Sequence, residues 1–573
     1  MKKHAIISVS DKSNLNTIVS FLLSKNYTIL STGGTFNYIK TNFPNLLDSE
    51  LVQVSEFTGF PEVLGGRVKT LHPDIYSGIL YDSKFNESVK AIIDVVVVNL
   101  YPFEQVIQSN DCTLDNAIEN IDIGGVSLIR AAAKNFKNIK LLVDSNDYEL
   151  CITNFENIDF WKNMAIKGFK QVTNYDASIT NYFNNDIVFR CYEKQKSLKY
   201  GCNPYQGNAS ILKLDNVSYP FDILNGAPGY INVIDALHSW SLVSEVKDAL
   251  GKTCAASFKH NAPAGVAIAT GDLYFDSLSH EAYYKARNAD PVSSFGDFIA
   301  IKDVVDLSTA QYLSKEVSDG IIADGYTNEA LEILKKKKNG NFIILRGSEI
   351  NYKDIEYREI CGTVIAQNKN TETLKLDDSN LSTLKLEEKF NAILATITLK
   401  YTPSNSISIA TEGVVVGIGA GQQNRVDCIR IAGEKFHLWQ LRKHPKVQNL
   451  LTLFNENTKR TTKINAITSF IRNDFTSREL ELWKLNFSEN NLNNIDFLTN
   501  EDKLLFLHIN SNKDVTLSSD AFMPFRDNID TCYKYNIKNI IQPGGSVADN
   551  EVIEACDEYN IKMIFTGKRF FLH

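Results

Sequence analysis

Nowhere in this sequence do apolar residues run on for the roughly 20 positions that a membrane-spanning helix needs, so no membrane partner is expected. The opening MKKHAIISVS has two lysines but no long apolar run, and it predicts no secretion leader. Positive charge is not in excess. Sixty Lys and Arg face 68 Asp and Glu, a formal net charge of -8, which argues against binding nucleic acid or an anionic membrane. The 9 cysteines are odd in number and never spaced C-x-x-C, so neither a disulfide framework nor a zinc site is expected. Reduced thiols in a cytoplasmic protein are the simplest reading. No internal repeat is visible. What remains is ordinary for a globular protein, with 43% hydrophobic and 22% charged residues. At 573 residues the chain exceeds what one core serves, so two or three domains are expected.

The first part alternates apolar runs with amphipathic segments. AIISVS, YTIL, IIDVVVVNL and IKLLV read as strands, and SNLNTIVSFLLSKN reads as a helix with Ser13 as its cap. Short apolar strands alternating with helices predict an α/β fold whose parallel sheet is covered on both faces. Ligands of such sheets bind at the carboxyl ends of strands, where SVSDKS, STGGT and NLYPFE fall. The charged stretch RCYEKQKSLK is the boundary candidate, giving domains 1–194 and 195–573, the second long enough for two subdomains. The lysine run Lys335 to Lys338 follows LEIL and precedes Asn339-Gly340, so it reads as a solvated helix end.

Several loops have the composition of sites. In Thr32-Gly33-Gly34-Thr35, glycines let backbone N–H groups converge on an anion at a helix start, and Ser10 and Lys12 could add a hydroxyl and an ammonium; a plain Gly-Gly turn would look the same. Gly65 to Pro73 packs glycines, Arg67, Lys69 and His72 into one loop, as an anionic substrate would require. Asp122 precedes Gly124-Gly125 and a helical run whose first N–H groups could hold an oxyanion while Asp122 moves a proton; the bland reading is an N-cap. In the second part, Lys259-His260 sets a cation beside the best proton shuttle near neutral pH. Gly417 to Gly421 resembles a dinucleotide fingerprint, but Gln422 stands at its third glycine. Ser519 to Asp527 offers aromatic planes beside charges, and Pro543 to Ser546 is a turn or an anion nest.

Taken in order, these strings resemble one family. SVSDKSNL, STGGT, VSEFTGFPEVLGGRVKTLHP, NLYPFE and IDIGGVSLIRAAAKN are similar to the cyclohydrolase half of the bifunctional AICAR transformylase/IMP cyclohydrolase family. YGCNPYQ, LNGAPGYINVIDA, FKHNAPAGVA, DPVSSFGDFIA, SDGIIADGY, YTPSNS, GIGAGQQNRVD, SDAFMPFRDN and TGKRFFLH resemble its transformylase half. The resemblance implies a methylglyoxal-synthase-like domain followed by two cytidine-deaminase-like subdomains. It implies formyl transfer from 10-formyltetrahydrofolate to AICAR, and closure of formyl-AICAR to IMP. It also implies a homodimer with transformylase sites at its interface. The H-x-E and P-C-x-x-C zinc signature of the deaminases is missing, so no catalytic metal is expected.

Position by position, the resemblance gives Lys259, His260 and Asn405 to formyl transfer, and Lys69, Tyr101, Asp122 and Lys134 to ring closure. Phe522 would stack on the aminoimidazole, Asp527 would contact folate, and Tyr200 and Arg569 would bind the nucleotide. Arg67, Asn99, Gly124 and Gly125 would line the closure site, with Ser10, Lys12 and Thr32 to Thr35 on the phosphate. Asp319, Arg425 and Ser546 are further substrate-binding candidates. In one continuous helix from Gly124, Lys134 would lie about 15 Å away and line another wall. Two positions depart from the family: Lys199 replaces arginine and Tyr205 replaces histidine. Lysine lacks the planar fork that clamps a phosphate, and tyrosine is a poor base near neutral pH. These departures motivate a rival reading, a transformylase half decayed into a purine-nucleotide sensor. The Gly417 motif motivates another, an NAD-dependent oxidoreductase.

Overall fold

A computed structural model describes residues 3–85, 87–214, 217–350, 354–511 and 513–573. The chain divides into two compact units, Met1–Cys191 and Tyr192–His573. The first is built on β1 (Lys3–Ser8), β2 (Tyr27–Ser31), β3 (Leu51–Gln53), β4 (Ile93–Val98) and β5 (Lys140–Leu142), all parallel in the order β3-β2-β1-β4-β5. Side chains alternate across a strand, so a run such as Val95 to Val98 is apolar throughout only because both faces are covered. Ala5, Ile7, Val95 and Val97 pack beneath the helices Leu15–Ser24 and Gly33–Asn42. Ile6, Val96 and Val98 pack under Leu128, Ile129 and Ala132 of the helix Gly124–Lys134. Full burial of one such aliphatic side chain stabilises the fold by about 1.5–3 kcal/mol. The expected cap of the first helix is displaced by one residue. Asn14, in the left-handed region at φ 55°, takes the N-cap position, while the Ser13 hydroxyl donates to Asp11 at 2.7 Å.

In the second unit, β6 (Tyr192–Ser197) and β7 (Ser210–Leu214) form a two-stranded ribbon. Then follow β8 (Phe221–Asn225), β9 (Cys254–Lys259), β10 (Ala262–Ile268), β11 (Asp297–Val305), β12 (Ser318–Tyr326) and β13 (Ile343–Gly347). A second ribbon, β14 (Ile355–Ile360) with β15 (Thr363–Asn368), precedes β16 (Ile407–Thr411), β17 (Val414–Gly419), β18 (Thr516–Ser519), β19 (Asn539–Gln542) and β20 (Lys562–Phe565). The strands outside the ribbons make one 11-stranded sheet, β20-β19-β18-β16-β17-β10-β9-β11-β12-β13-β8. Outward from the antiparallel pair β10·β17, both sides read alike: a hairpin, an antiparallel neighbour, then two parallel steps. The two halves implied by the family resemblance are therefore a structural repeat, which the sequence did not reveal. The helices Pro445–Leu453, Arg460–Arg472, Ser477–Lys484 and Asn500–Ile509 interrupt the second half, around their own core of Phe470, Trp483, Phe487 and Leu498.

Two sequence readings change here. The helix Asn328–Lys336 does end in the lysine run, but not all of the run is solvated. The Lys337 ammonium donates to the Glu316 carbonyl, and burial holds it below the usual lysine range; Lys338 pairs with Asp319 at 2.6 Å. The Gly417 motif serves packing. A Cβ at Gly417 or Gly419 would stand 2.2 Å from the carbonyl oxygen of Ala432 or Cys428, on the helix Arg425–Leu441. These glycines let strand and helix backbones approach closely, which removes the basis of the dinucleotide reading.

Candidate active sites

In the first unit the carboxyl ends of β1, β2 and β4 open onto a cleft of about 560 Å³. Ser10 and Lys12 follow β1, Thr32, Gly34 and Thr35 follow β2, and Asn99 and Tyr101 follow β4. The 64–70 loop adds Arg67, Lys69 and Thr70, and the 118–125 segment adds Asp122, Gly124 and Gly125. Thr32 is extended and makes no side-chain cap, which leaves N–H groups of the first turn for an anion. Gly33 lies under the Lys69 ammonium, since a Cβ there would meet Nζ at 3.7 Å. Gly66 is favoured by its φ of 90°, and a Cβ there, 2.4 Å from Cε of Lys69, would displace the end of that side chain. Asn99 ties the wall together, its Oδ1 accepting from the N–H of Ser10 at 2.5 Å and of Asp11 at 3.1 Å.

Asp122 sits at the mouth of the Gly124–Lys134 helix, where its Oδ1 accepts from the Gly125 N–H at 2.6 Å. Burial raises its carboxyl above the usual range, while the Gly125 and Tyr101 N–H groups and the Lys69 charge oppose the rise. A partly desolvated carboxylate facing a cation at a helix N-terminus is suited to proton transfer beside a developing oxyanion. Arg67 pairs with the exposed Glu119 across the rim. Lys134 is not brought in. It is the exposed last residue of the unbroken helix, about 15 Å along from Gly124. Thr70, buried against Gly124, and Tyr175, whose hydroxyl accepts from the Asp122 N–H at 2.9 Å, are members that sequence reasoning missed.

In the second unit the candidate residues fall in two clefts. One, of about 370 Å³, is lined by Lys259, His260, Ser293, Ala420 and Lys435 among others. Lys259 ends β9 and His260 opens the turn after it, and the Lys259 ammonium donates to the Phe295 carbonyl. The other, of about 780 Å³, takes Asn405, Arg425, Phe522, Asp527 and Arg569. Here Asn405 Oδ1 accepts from the Arg425 guanidinium at 3.0 Å, and that guanidinium also pairs with the fully buried Asp520, unnoticed in the sequence. Phe522 is exposed, and the Arg569 guanidinium lies 4.7 Å from the Phe571 ring centre. Tyr200 donates to Asn232 Oδ1 at 3.0 Å, and its phenol is raised by burial and by the charge of Asp319. Lys199 is exposed, and Tyr205 is 85% exposed. The Ser546 nest is filled from within, because Asp549 Oδ2 accepts from the Gly545 and Ser546 N–H groups at 2.8 and 3.2 Å. Among the described residues no group of His, Cys, Asp and Glu could hold a metal ion.

A parallel-sheet unit and a duplicated mixed-sheet unit, each with its own clefts, define a two-part α/β enzyme. Comparisons with known proteins make that class specific. Residues 14–127 match the MGS-like domain, and residues 132–435 match the AICARFT/IMPCHase bienzyme. The chain is 35% identical over 605 residues to the bifunctional purine biosynthesis protein PurH of Thermoanaerobacter sp. (strain X514), covering 100% of both chains. It is 34% identical over 600 residues to the PurH of Clostridium perfringens (strain SM101 / Type A), again covering 100% of both. It is 32% identical over 600 residues to that of Leptospira biflexa serovar Patoc (strain Patoc 1 / Ames), covering 100% of this chain and 99% of the other. The chain belongs to the AICARFT/IMPCHase bienzyme family.

Proposed function

We propose that the two units divide the last two steps of IMP synthesis, with ring closure in residues 1–194 and formyl transfer in residues 195–573. The observation that carries the division is the first cleft. Its anion-binding turn, its cation Lys69 and its raised carboxyl Asp122 all come from the parallel-sheet unit. In closure, the carboxamide nitrogen of formyl-AICAR attacks the formyl carbon and water is lost. Lys69 and the helix N-terminus would meet the developing oxyanion, and Asp122 would take and return the proton. Tyr101 stands in the same wall.

In transfer, the 5-amino nitrogen of AICAR attacks the formyl carbon of 10-formyltetrahydrofolate, and the bond from that carbon to the folate N10 breaks. The amine proton passes to His260 and then to the departing N10, while Lys259 holds the developing charge. Within one chain, Lys259 and His260 line a different cleft from Asn405, Phe522 and Arg569. This separation supports a homodimer in which a second copy completes the transfer site. The free cysteines suit a reducing cytoplasm, and among the described residues no helix is long and apolar enough to cross a membrane. The test is one incubation with AICAR and the formyl donor, following formyl-AICAR and IMP separately across enzyme concentrations. Transfer should fall on dilution while closure of supplied formyl-AICAR holds. A fragment 1–194 should close formyl-AICAR without folate; a folded fragment that does not would remove the division.

A further inference from the structure

The two halves of the large sheet carry the same device at their hairpin turns. In the first half Lys259 pairs with Ala262 across the turn His260-Asn261, and both turn residues are left-handed, at φ 54° and 60°. In the second half Thr411 pairs with Val414 across Glu412-Gly413, at φ 54° and 73°. Each turn is capped from the helix that precedes its hairpin. Asp235, sixth residue of the helix Tyr230–Leu250, accepts through Oδ1 from the Asn261 N–H at 2.7 Å. Asn391, sixth residue of the helix Leu386–Leu399, accepts through Oδ1 from the Gly413 N–H at 3.0 Å.

The repeat is an internal control. A neutral amide suffices to hold such a turn, as Asn391 does. Where the turn carries His260, the cap is a carboxylate, only 5% exposed, in a place where an ionised group is costly to bury. Structure alone does not require that charge. We propose that Asp235 is a positioning residue of the transfer site, fixing the strained His260-Asn261 turn and supplying the negative charge that steadies His260 while it carries the amine proton. This rests on the reading of His260 as the proton acceptor in formyl transfer.

The groups facing Asp235 agree with that role. His260 lies on the turn, Asp319 on β12 and His238 on the same helix, and Lys338 pairs with Asp319. Burial pushes the Asp235 carboxyl up to about 6, against the Asn261 N–H and the His260 charge, while Asp319 adds to the rise. The carboxyl is therefore mostly ionised above neutrality and takes a proton in mildly acid solution. The His238 imidazole, lowered by burial, is not a competing cation near neutral pH.

Asp235→Asn copies the cap of the other half, so the turn should survive while the charge is lost. In the full-length enzyme we expect the kcat of formyl transfer to fall by about 10–100-fold, the scale found when the carboxylate partner of a metal-bound histidine is removed. KM for AICAR should stay within about twofold, because only a step beyond binding is affected. The acid limb of the kcat profile should move to lower pH, and closure of supplied formyl-AICAR should be unchanged. Wild-type transfer with an unmoved acid limb in Asp235→Asn would reduce Asp235 to a turn cap like Asn391 and overturn the proposal. Undiminished transfer in His260→Ala, measured alongside, would instead overturn the reading of His260 beneath it. If Asp235→Asn does not fold, Asp235→Ser decides: a shorter neutral cap should lower kcat and move the acid limb in the same sense, and wild-type kcat with an unmoved acid limb overturns the proposal.

Discussion

The cleft proposed for closure and those proposed for transfer differ in how much of a site one chain supplies. In the first unit the anion turn, the cation and the carboxyl share one cavity, fed by adjacent strands of one parallel sheet. In the second, Lys259 with His260 and the Asn405 group line separate cavities. Parallel strands all deliver their carboxyl ends to one edge, so residues distant in sequence converge without help. A duplicated sheet delivers two similar but separate edges, and convergence there requires something further.

The largest test of this contrast is His260→Ala. Formyl transfer should drop by about 10²–10⁴-fold with closure of supplied formyl-AICAR intact, since the groups of the two sites come from different units. Assays of each half-reaction on the same preparation read it directly; a fall in both rates would break the separation. Next, Asp122→Asn should lower closure by about 10²-fold or more and spare transfer, because the amide keeps the Gly125 hydrogen bond and cannot accept a proton.

Gly125→Ala sharpens the same point with a smaller effect. Its Cβ would lie 2.6 Å from Asp122 Oδ2, so the carboxylate must move, at a cost of about 1–3 kcal/mol. We expect closure to slow by about tenfold or more, with the lost activity in kcat. An unchanged kcat would show that Asp122 need not sit where it does.

Asp235 gives a stability prediction of opposite sense to its activity. Its folded carboxyl titrates at about 6, above the ordinary aspartate value, so between those two values the folded state binds more protons than the unfolded one. Stability from this group is thus greatest in acid and is lost as pH rises through about 6. Asp235→Asn, free of that cost, should melt higher than wild type at pH 7.5, by up to about 3 kcal/mol, and the gain should vanish near pH 4. Thermal unfolding at the two pH values measures it. The smallest effect expected is for Lys199→Arg. A planar fork replacing a point charge should lower KM for AICAR several-fold with turnover nearly constant, and a raised KM would place Lys199 in a pocket adapted to lysine.

How much was legible follows from the same contrast. Val95 to Val98 announce a strand buried on both faces, and β1, β2 and β5 were equally plain, whereas β3, with only Leu51 buried, gave no pattern. The lining of the first cleft was readable because glycines mark turns of positive φ, as at Gly66. The duplication was not, because topology repeats while side chains do not, and a helical insertion separates the partner strands. Asp235 was hidden inside the helical run YINVIDALHSW. The trace it left is a carboxylate three residues from Asn232 and four from Ser239, in a stripe that is otherwise buried. Asp520 stood in a quoted motif, but nothing in sequence couples it to Arg425 nearly a hundred residues earlier.

The joining of the halves at β10·β17 has a consequence for the life of the chain before it acts. Two separate sheets would expose four rims able to recruit stray strands; the fused sheet has two, ending in the short β8 and β20. Those rims carry charge, with Asp222 paired to Arg346 beside one and Lys562 beside Glu388 at the other. The seam that removes the other rims matches Val266 with Val415, so it closes only after a long stretch of chain has been made. Until then β10 is an unsatisfied, wholly apolar border, and the nascent first half is the form most exposed to aggregation.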